Sequence, residues 1–307
     1  MKTLREMLED YVTMRRSLGF KMSKEEARLP KFLSFLDDNE ASCITTRLAR
    51  KWAYGAPGGR EPANRLQMVR AFARYVAAFD PKTEVPPPGL FSTRYLRPRP
   101  YLYTDEDVRR LMQAARTRSQ RERPAGRYYC LFGLLAVSGL RIGEAIGLEV
   151  QDVDLASGIL TIRGTKFGKS RLVPLHPTTV SELRKYKKRR DEFLAGRVSS
   201  PFFINSNGAR LCDRDIYRVF HQLSVKVGLR KSAVGYGPRL HDFRHRLAVR
   251  TLANWYQEGK DAERRLPVLS AFLGHVLVSH TYWYLTEYPE LMRLAVQRLE
   301  SHWEERS

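Results

Sequence analysis

Four segments place cationic or imidazole groups where an ordinary core helix would not carry them. In "LLAVSGLRIGEAIGLEVQDVD", Arg141 directly follows an apolar run and a Ser-Gly pair. An unpaired buried guanidinium is expensive, so Arg141 must be paired or must face a cleft. Glu144, three residues on, is within reach as a brace if the segment is helical. In "RLHDFRHRLAVR", His241 and Arg244 stand at i and i+3 of an expected helix and share a face. They pair a proton-handling group with a bidentate fork for phosphate. His241 and His245 have the i, i+4 spacing of metal ligands, but the motif is not HExxH and no carboxylate or cysteine cluster completes a site, so no metal is expected. In "LSAFLGHVLVSHTYWY", His275 follows Leu-Gly and reads as a helix-end histidine. In "GILTIRGTKFGKSRLVPL", Lys166 and Lys169 sit at or near a turn and Arg171 follows, a basic tip able to enter a DNA groove.

These groups suit one reaction. Two guanidiniums can hold the nonbridging oxygens of a phosphodiester and offset the charge that grows in its transition state. A tyrosine can attack phosphorus and form a covalent phosphotyrosyl link. A lysine can protonate the leaving oxygen. The cations do what a Lewis acid would otherwise do, so no cofactor is expected. Three tyrosines compete: Tyr282, Tyr284 and Tyr288. On a helix Tyr284 and Tyr288 share a face and Tyr282 points elsewhere. Pro289 disfavours helix at Tyr288. Periodicity leaves Tyr284 and Tyr288 both open.

The elements that must position these groups follow from periodicity. Residues 3–18 form an expected amphipathic helix ended by Gly19. A second starts near Lys24, a third is "TTRLARKWAY", and a fourth covers 62–79. Residues 1–80 are thus expected to be a small helical domain. Residues 81–100, rich in proline, are expected to be a linker, and Arg94, Arg97 and Arg99 make it a basic strap that tracks phosphate. Thr104 and Asp107 then have capping-box spacing and open a larger domain, 101–307. Its runs at 159–163 and 171–175 read as a hairpin. "PFFINSNG" reads as a further strand, "DRDIYRVFHQLSVKVGL" as a helix, and the insert "YQEGKDAERRLP", 256–267, as a loop. Leu291, Leu294, Ala295, Arg298 and Leu299 put a partial apolar stripe on a terminal helix. The expected fold is mainly α with a small β-sheet: a helical N-terminal domain and a mixed α+β C-terminal domain.

The 307-residue chain has 54 Lys and Arg against 33 Asp and Glu, a net charge of +21. Such an excess points to a polyanion, here double-stranded DNA. The run "YYCLFGLLAV" has about half the roughly twenty residues of a membrane span. The N-terminus lacks a signal-type apolar core. Cys43, Cys130 and Cys212 are an odd number without CxxC and read as reduced, buried thiols. A cytoplasmic protein with no membrane partner is expected. The basic run 184–192 reads equally as a phosphate contact or as an exposed charged helix face.

The ordered set of Arg141 in "SGLRIGEAIGL", Lys166 in "GTKFGKSR", His241 and Arg244 in "HDFRH", His275 in "LGH" and a following tyrosine resembles the tyrosine recombinase (phage integrase, Xer-like) family. The resemblance runs from about Tyr101 to the end, and residues 1–80 resemble that family's SAM-like core-binding domain. It implies a site-specific DNA recombinase with a 3′-phosphotyrosine intermediate. It implies that Arg141 and Arg244 bind the scissile phosphate, Lys166 is the general acid, His241 assists proton transfer and His275 orients the phosphate. Family members place the nucleophile nine residues after the Leu-Gly-His histidine, which is Tyr284. A tetramer on DNA, coupled through the terminal helix 290–303 and formed from free monomers, is also implied, with other recombinases as possible partners. Two features depart from the family: the long stretch from Arg244 to His275, and the apolar, aromatic "VLVSHTYWY". A type IB topoisomerase and a non-catalytic DNA-binding regulator are the alternatives. The two-domain layout argues against the first, and the intact set of six groups against the second.

Overall fold

The computed structural model describes residues 2–55, 61–91, 100–120, 122–164, 170–230, 237–275, 277–288 and 291–297. The chain divides into two units, 1–98 and 99–307.

The first unit is a helical bundle: α1 (Leu4–Ser17), α2 (Ser23–Asp37), α3 (Thr46–Tyr54) and α4 (Glu61–Val76). Thr3 starts α1 with a reciprocal capping box to Glu6. Each helix buries one stripe, and Leu8, Tyr11, Phe32, Leu36, Trp52, Val69 and Phe72 meet in one core. Part of the expected linker belongs to this unit. Leu90 and Phe91 pack against the core. Arg70 donates to the carbonyls of Pro86 and Pro87 at 2.6 and 2.7 Å. Proline lacks an N–H but keeps its acceptor, so a proline run can dock this way without helix or strand. Arg94, Arg97 and Arg99 lie outside the described residues.

The second unit begins with α5 (Asp105–Ser119), capped by Thr104 and Asp107 as expected. Then come α6 (Arg127–Ser138), α7 (Ile142–Gly147), β1 (Val153–Asp154), β2 (Ile159–Ile162) and β3 (Arg171–Pro174). The strands form an antiparallel sheet in the order β1-β2-β3, with Ile162 opposite Arg171. The expected hairpin is therefore present, and Lys166 and Lys169 in its turn lie outside the described residues. Next follow α8 (Pro177–Leu194), α9 (Asp213–Lys226), α10 (Asp242–Gln257), α11 (Ala262–Leu273) and α12 (Ser279–Glu287). Helix α6 is apolar nearly all round and lies in the main core with Phe220 and Phe243. A second core joins α10, α11 and α12 through Leu252, Leu266, Leu273, Tyr284 and Leu291.

Four expectations are corrected. "PFFINSNG" is not a strand: Asn205 turns the chain by accepting from Asn207 and Ala209, leaving only the isolated bridges Glu149–Pro201 and Ile204–Arg210. The insert 256–267 is largely helix. Asp261 caps α11 by accepting from Arg264, and Ala262, Leu266, Leu269 and Leu273 carry a buried helical period through the charged sequence. Only Cys130 is buried; Cys43 is half-buried and Cys212 exposed. The run 184–192 on α8 is not a uniform charged face, because Tyr186 and Arg190 are buried and Arg190 donates to the Ser199 and Pro201 carbonyls. Residues 291–297 are helical, and Leu291 is buried against its own unit. No helix among the described residues is long and apolar enough to cross a membrane.

The helical insert gives a direct stability test. Leu266 is fully buried, so Leu266→Ala is expected to lower unfolding free energy by about 2–5 kcal/mol. Arg264→Ala, on the exposed face, is expected to change it by less than about 0.5 kcal/mol. Urea denaturation checks both, and equal small effects would contradict a packed α11.

Candidate active site

The site is built from the turn after α6. Ser138 turns its hydroxyl back to the Leu134 carbonyl, and Gly139 ends the helix at φ +59°. A Cβ there would lie 2.9 Å from Leu247 Cδ2 and 3.1 Å from Leu273 Cδ2. Both the left-handed backbone and the lack of space therefore require glycine. The turn delivers Arg141 to the start of α7. It also presents the Gly139 carbonyl to Arg244 Nη1 at 2.8 Å.

Glu144 holds the next layer. Its Oε1 accepts from Arg141 Nη1 at 2.8 Å and from Arg171 Nη1 at 3.2 Å. Its Oε2 accepts from Arg171 Nη2 at 2.8 Å and from the Arg141 backbone N–H at 3.0 Å. Both arginines also reach the end of α11: Arg171 Nε donates to Phe272 O at 3.0 Å and Arg141 Nη2 to Gly274 O at 3.1 Å. Burial alone would raise the Glu144 pKa, but the bonds from Arg171 and Arg141 outweigh it and hold the carboxyl below its ordinary range. Gly274 ends α11 at φ +70°, and a Cβ on it would lie 2.5 Å from Arg171 Nη1.

Helix α10 supplies His241 and Arg244. Buried Asp242 braces the chain entering it by accepting from the Arg239 backbone N–H at 2.8 Å. Tyr103 donates to the Arg239 carbonyl and stacks on Phe243. Arg244 is only 2% exposed. Its Nη2 has no hydrogen-bond partner among the described residues. Burial, followed by the nearby Arg141 charge, lowers the Arg244 pKa to about 10, still leaving it cationic at neutral pH. Burial and then Arg244 push His241 down to about 4. Burial, with Arg244 and Arg141, pushes His275 down to about 3. Both imidazoles are therefore neutral at pH 7.

The tyrosines separate sharply. Tyr284 is 2% exposed and lies against His245 and His275, with ring centroids 5.5 and 6.2 Å away. The electrostatic influence of Tyr284 on Arg244 opposes that of Arg141. Tyr282 is 45% exposed, so it is a surface residue and not a packing one. Tyr288 is partly buried where α12 ends in extended backbone, φ −120° and ψ 101°. Thr281, fully buried, places its hydroxyl 2.8 Å from His275 Nδ1.

The structure thus gathers Arg141, Glu144, His241, Arg244, His275 and Tyr284. Arg171 is corrected: expected as a DNA contact, it turns inward, its side chain 13% exposed, because Glu144 and Phe272 O take its donors. Sequence reasoning missed Thr281 and the part played by His245. His245 lies at i+4 from His241, a spacing that suggests metal ligation and not its contact with Tyr284. Thr281 carried no signal, since its partnership with His275 depends on the turn between α11 and α12.

The description "Phage integrase family" fits residues 102–290. The chain is 51% identical to the integrase/recombinase y4rB of Sinorhizobium fredii over the full length of both. It is 34% identical to y4rE of the same organism, named likewise, covering 96% of this chain and 95% of the relative. Among solved structures it resembles the Tn1549 transposon integrase in complex with transposon right-end DNA. The TM-score is 0.66 at 17% identity, covering 97% of this chain and all of the other.

The lowered histidines set a pH dependence. Unfolded chain takes up protons at these residues near pH 6.5, while the native protein resists until about 4 at His241 and 3 at His275. Their contribution to stability is therefore complete above about pH 6.5 and is lost as pH falls through 4 toward 3. The Tm of DNA-free protein is expected to fall across this window, and to fall less steeply in His275→Gln. Thermal melts followed by circular dichroism check this, and parallel curves for the two proteins would contradict it.

Proposed function

Because this chain belongs to the phage integrase family of tyrosine recombinases, we propose that it is a site-specific DNA recombinase that cuts and rejoins strands through a 3′-phosphotyrosine at Tyr284. The observation that carries this reading is the burial of cationic Arg244 beside Tyr284, with one amino group bound to Gly139 O and the other unpartnered among the described residues.

In this mechanism Arg141 and Arg244 hold the nonbridging oxygens of the scissile phosphate. Tyr284 Oη attacks phosphorus, and its proton passes toward neutral His241. The bond to the 5′-oxygen breaks and Lys166 protonates the leaving oxygen. His275, steadied by Thr281, orients the phosphate. Attack of a 5′-hydroxyl on the phosphotyrosine reverses these steps. The phosphoester linkage is exchanged and never lost to water, so religation needs no ATP. Tyr284 is nearly inaccessible, so a duplex reaches it only when α12 shifts.

Residues 1–80 serve as the core-binding domain on duplex DNA, with Arg94, Arg97 and Arg99 of the 81–100 strap and Lys169 of the hairpin as phosphate contacts. The active assembly is a tetramer on DNA coupled through residues 290–303, formed from cytoplasmic monomers, with other recombinases as further partners. The integrase and recombinase relatives support the recombinase reading over topoisomerase or regulator readings.

A nicked suicide duplex, carrying a site that the protein selects from random DNA, tests the assignment. Tyr284→Phe is expected to abolish the covalent adduct while binding persists. Tyr282→Phe and Tyr288→Phe are expected to keep it. Arg244→Gln is expected to slow adduct formation by about 10²-fold or more. Adduct formation by Tyr284→Phe would refute the nucleophile.

A further inference from the structure

Arg171 was expected at the DNA, on the return strand of a basic hairpin. Its surroundings assign it elsewhere. All three guanidinium nitrogens are engaged: Nε with Phe272 O at 3.0 Å, and Nη1 and Nη2 with the two oxygens of Glu144 at 3.2 and 2.8 Å. Its charge is offset by a carboxylate, and the absent Cβ of Gly274 makes room for its fork. These bonds and the Glu144 carboxylate hold the fork inward, with its side chain only 13% exposed.

The same bonds close a ring. Arg171 binds Glu144, Glu144 binds Arg141, Arg141 binds Gly274 O, and Arg171 binds Phe272 O two residues earlier. The ring joins β3, the start of α7 and the end of α11. Each member has a separate stake in the site. Strand β3 pairs with β2 at Ile162 across the turn that contains Lys166. The start of α7 carries Arg141, and the end of α11 leads directly into His275. Arg171 also shares Glu144 with Arg141. Without it, Arg141 would face a carboxylate of its own and be drawn away from a substrate phosphate.

We propose that Arg171 is a positioning residue that locks Arg141, the Gly274–His275 corner and the base of the Lys166 hairpin into one frame through Glu144 and Phe272 O. The proposal rests on the recombinase reading above.

The discriminating variant is Arg171→Lys. It keeps the charge that a phosphate contact needs, but an ammonium cannot span both Glu144 oxygens and Phe272 O. Single-turnover cleavage of the suicide duplex is expected to slow about 10²-fold, with Kd unchanged and the slope of log Kd against log salt unchanged. Glu144→Gln is expected to cost less in the Arg171→Lys background than in the unsubstituted protein, because both act through one ring. Gly274→Ala, whose Cβ must push the fork aside, supplies a second route to the same loss and stands in if Arg171→Lys fails to fold. Unchanged cleavage in the folded variants overturns the proposal. So does additivity with Glu144→Gln, or weaker binding in Arg171→Gln with a salt slope shallower by about 0.9, the mark of a lost phosphate contact. Absence of any adduct with the unsubstituted protein would instead sink the recombinase reading, and this proposal with it.

Discussion

Like charges must be held together. Arg141 sits close enough to Arg244 to disfavour its charge, and Arg244 is almost wholly removed from water. Repulsion strengthens as the surrounding dielectric falls, so such a pair persists only where fixed groups oppose it. Here these are one carboxylate, Glu144, and two backbone carbonyls, of Gly139 and Gly274. Both carbonyls belong to glycines in left-handed backbone at helix ends, where a side chain would strike a neighbour. The short motifs around Arg141 and His275 are thus frames for guanidinium groups as much as carriers of functional side chains. Burial, together with the same field, keeps both histidines neutral at pH 7.

The two cores of the second unit meet this arrangement from different sides. The main core fixes α6, the sheet and the start of α10 through Phe243. The smaller core fixes α10, α11 and α12, and Tyr284 is one of its members. The proposed nucleophile is therefore a packing residue in this structure, and any movement that exposes it must disturb that smaller core.

Much of this could be read from sequence because it is local. The cap at Thr104, the hairpin, the shared face of His241 and Arg244, and the helix-end placement of His275 depend on residues within a few positions of each other. What escaped is non-local or masked by charge. Arg171 meets Glu144 from 27 residues away, and its inward turn follows from three elements converging. Helix α11 hid in a polar segment because its buried positions are spaced among Arg264, Arg265 and Pro267. Tyr282 and Tyr284 differ in exposure because α12 presents opposite faces to the smaller core, a phase that sequence could state only up to the choice between Tyr284 and Tyr288.

The central claim is that Tyr284 is the residue joined to DNA. Mass-spectrometric mapping of the adduct tests it most directly, after nuclease trimming and proteolysis of unsubstituted protein trapped on its selected duplex. The account predicts a nucleotide 3′-phosphate on the peptide containing Tyr284, with fragment ions placing it on that side chain. The same mass on Tyr282, Tyr288 or a serine would contradict it.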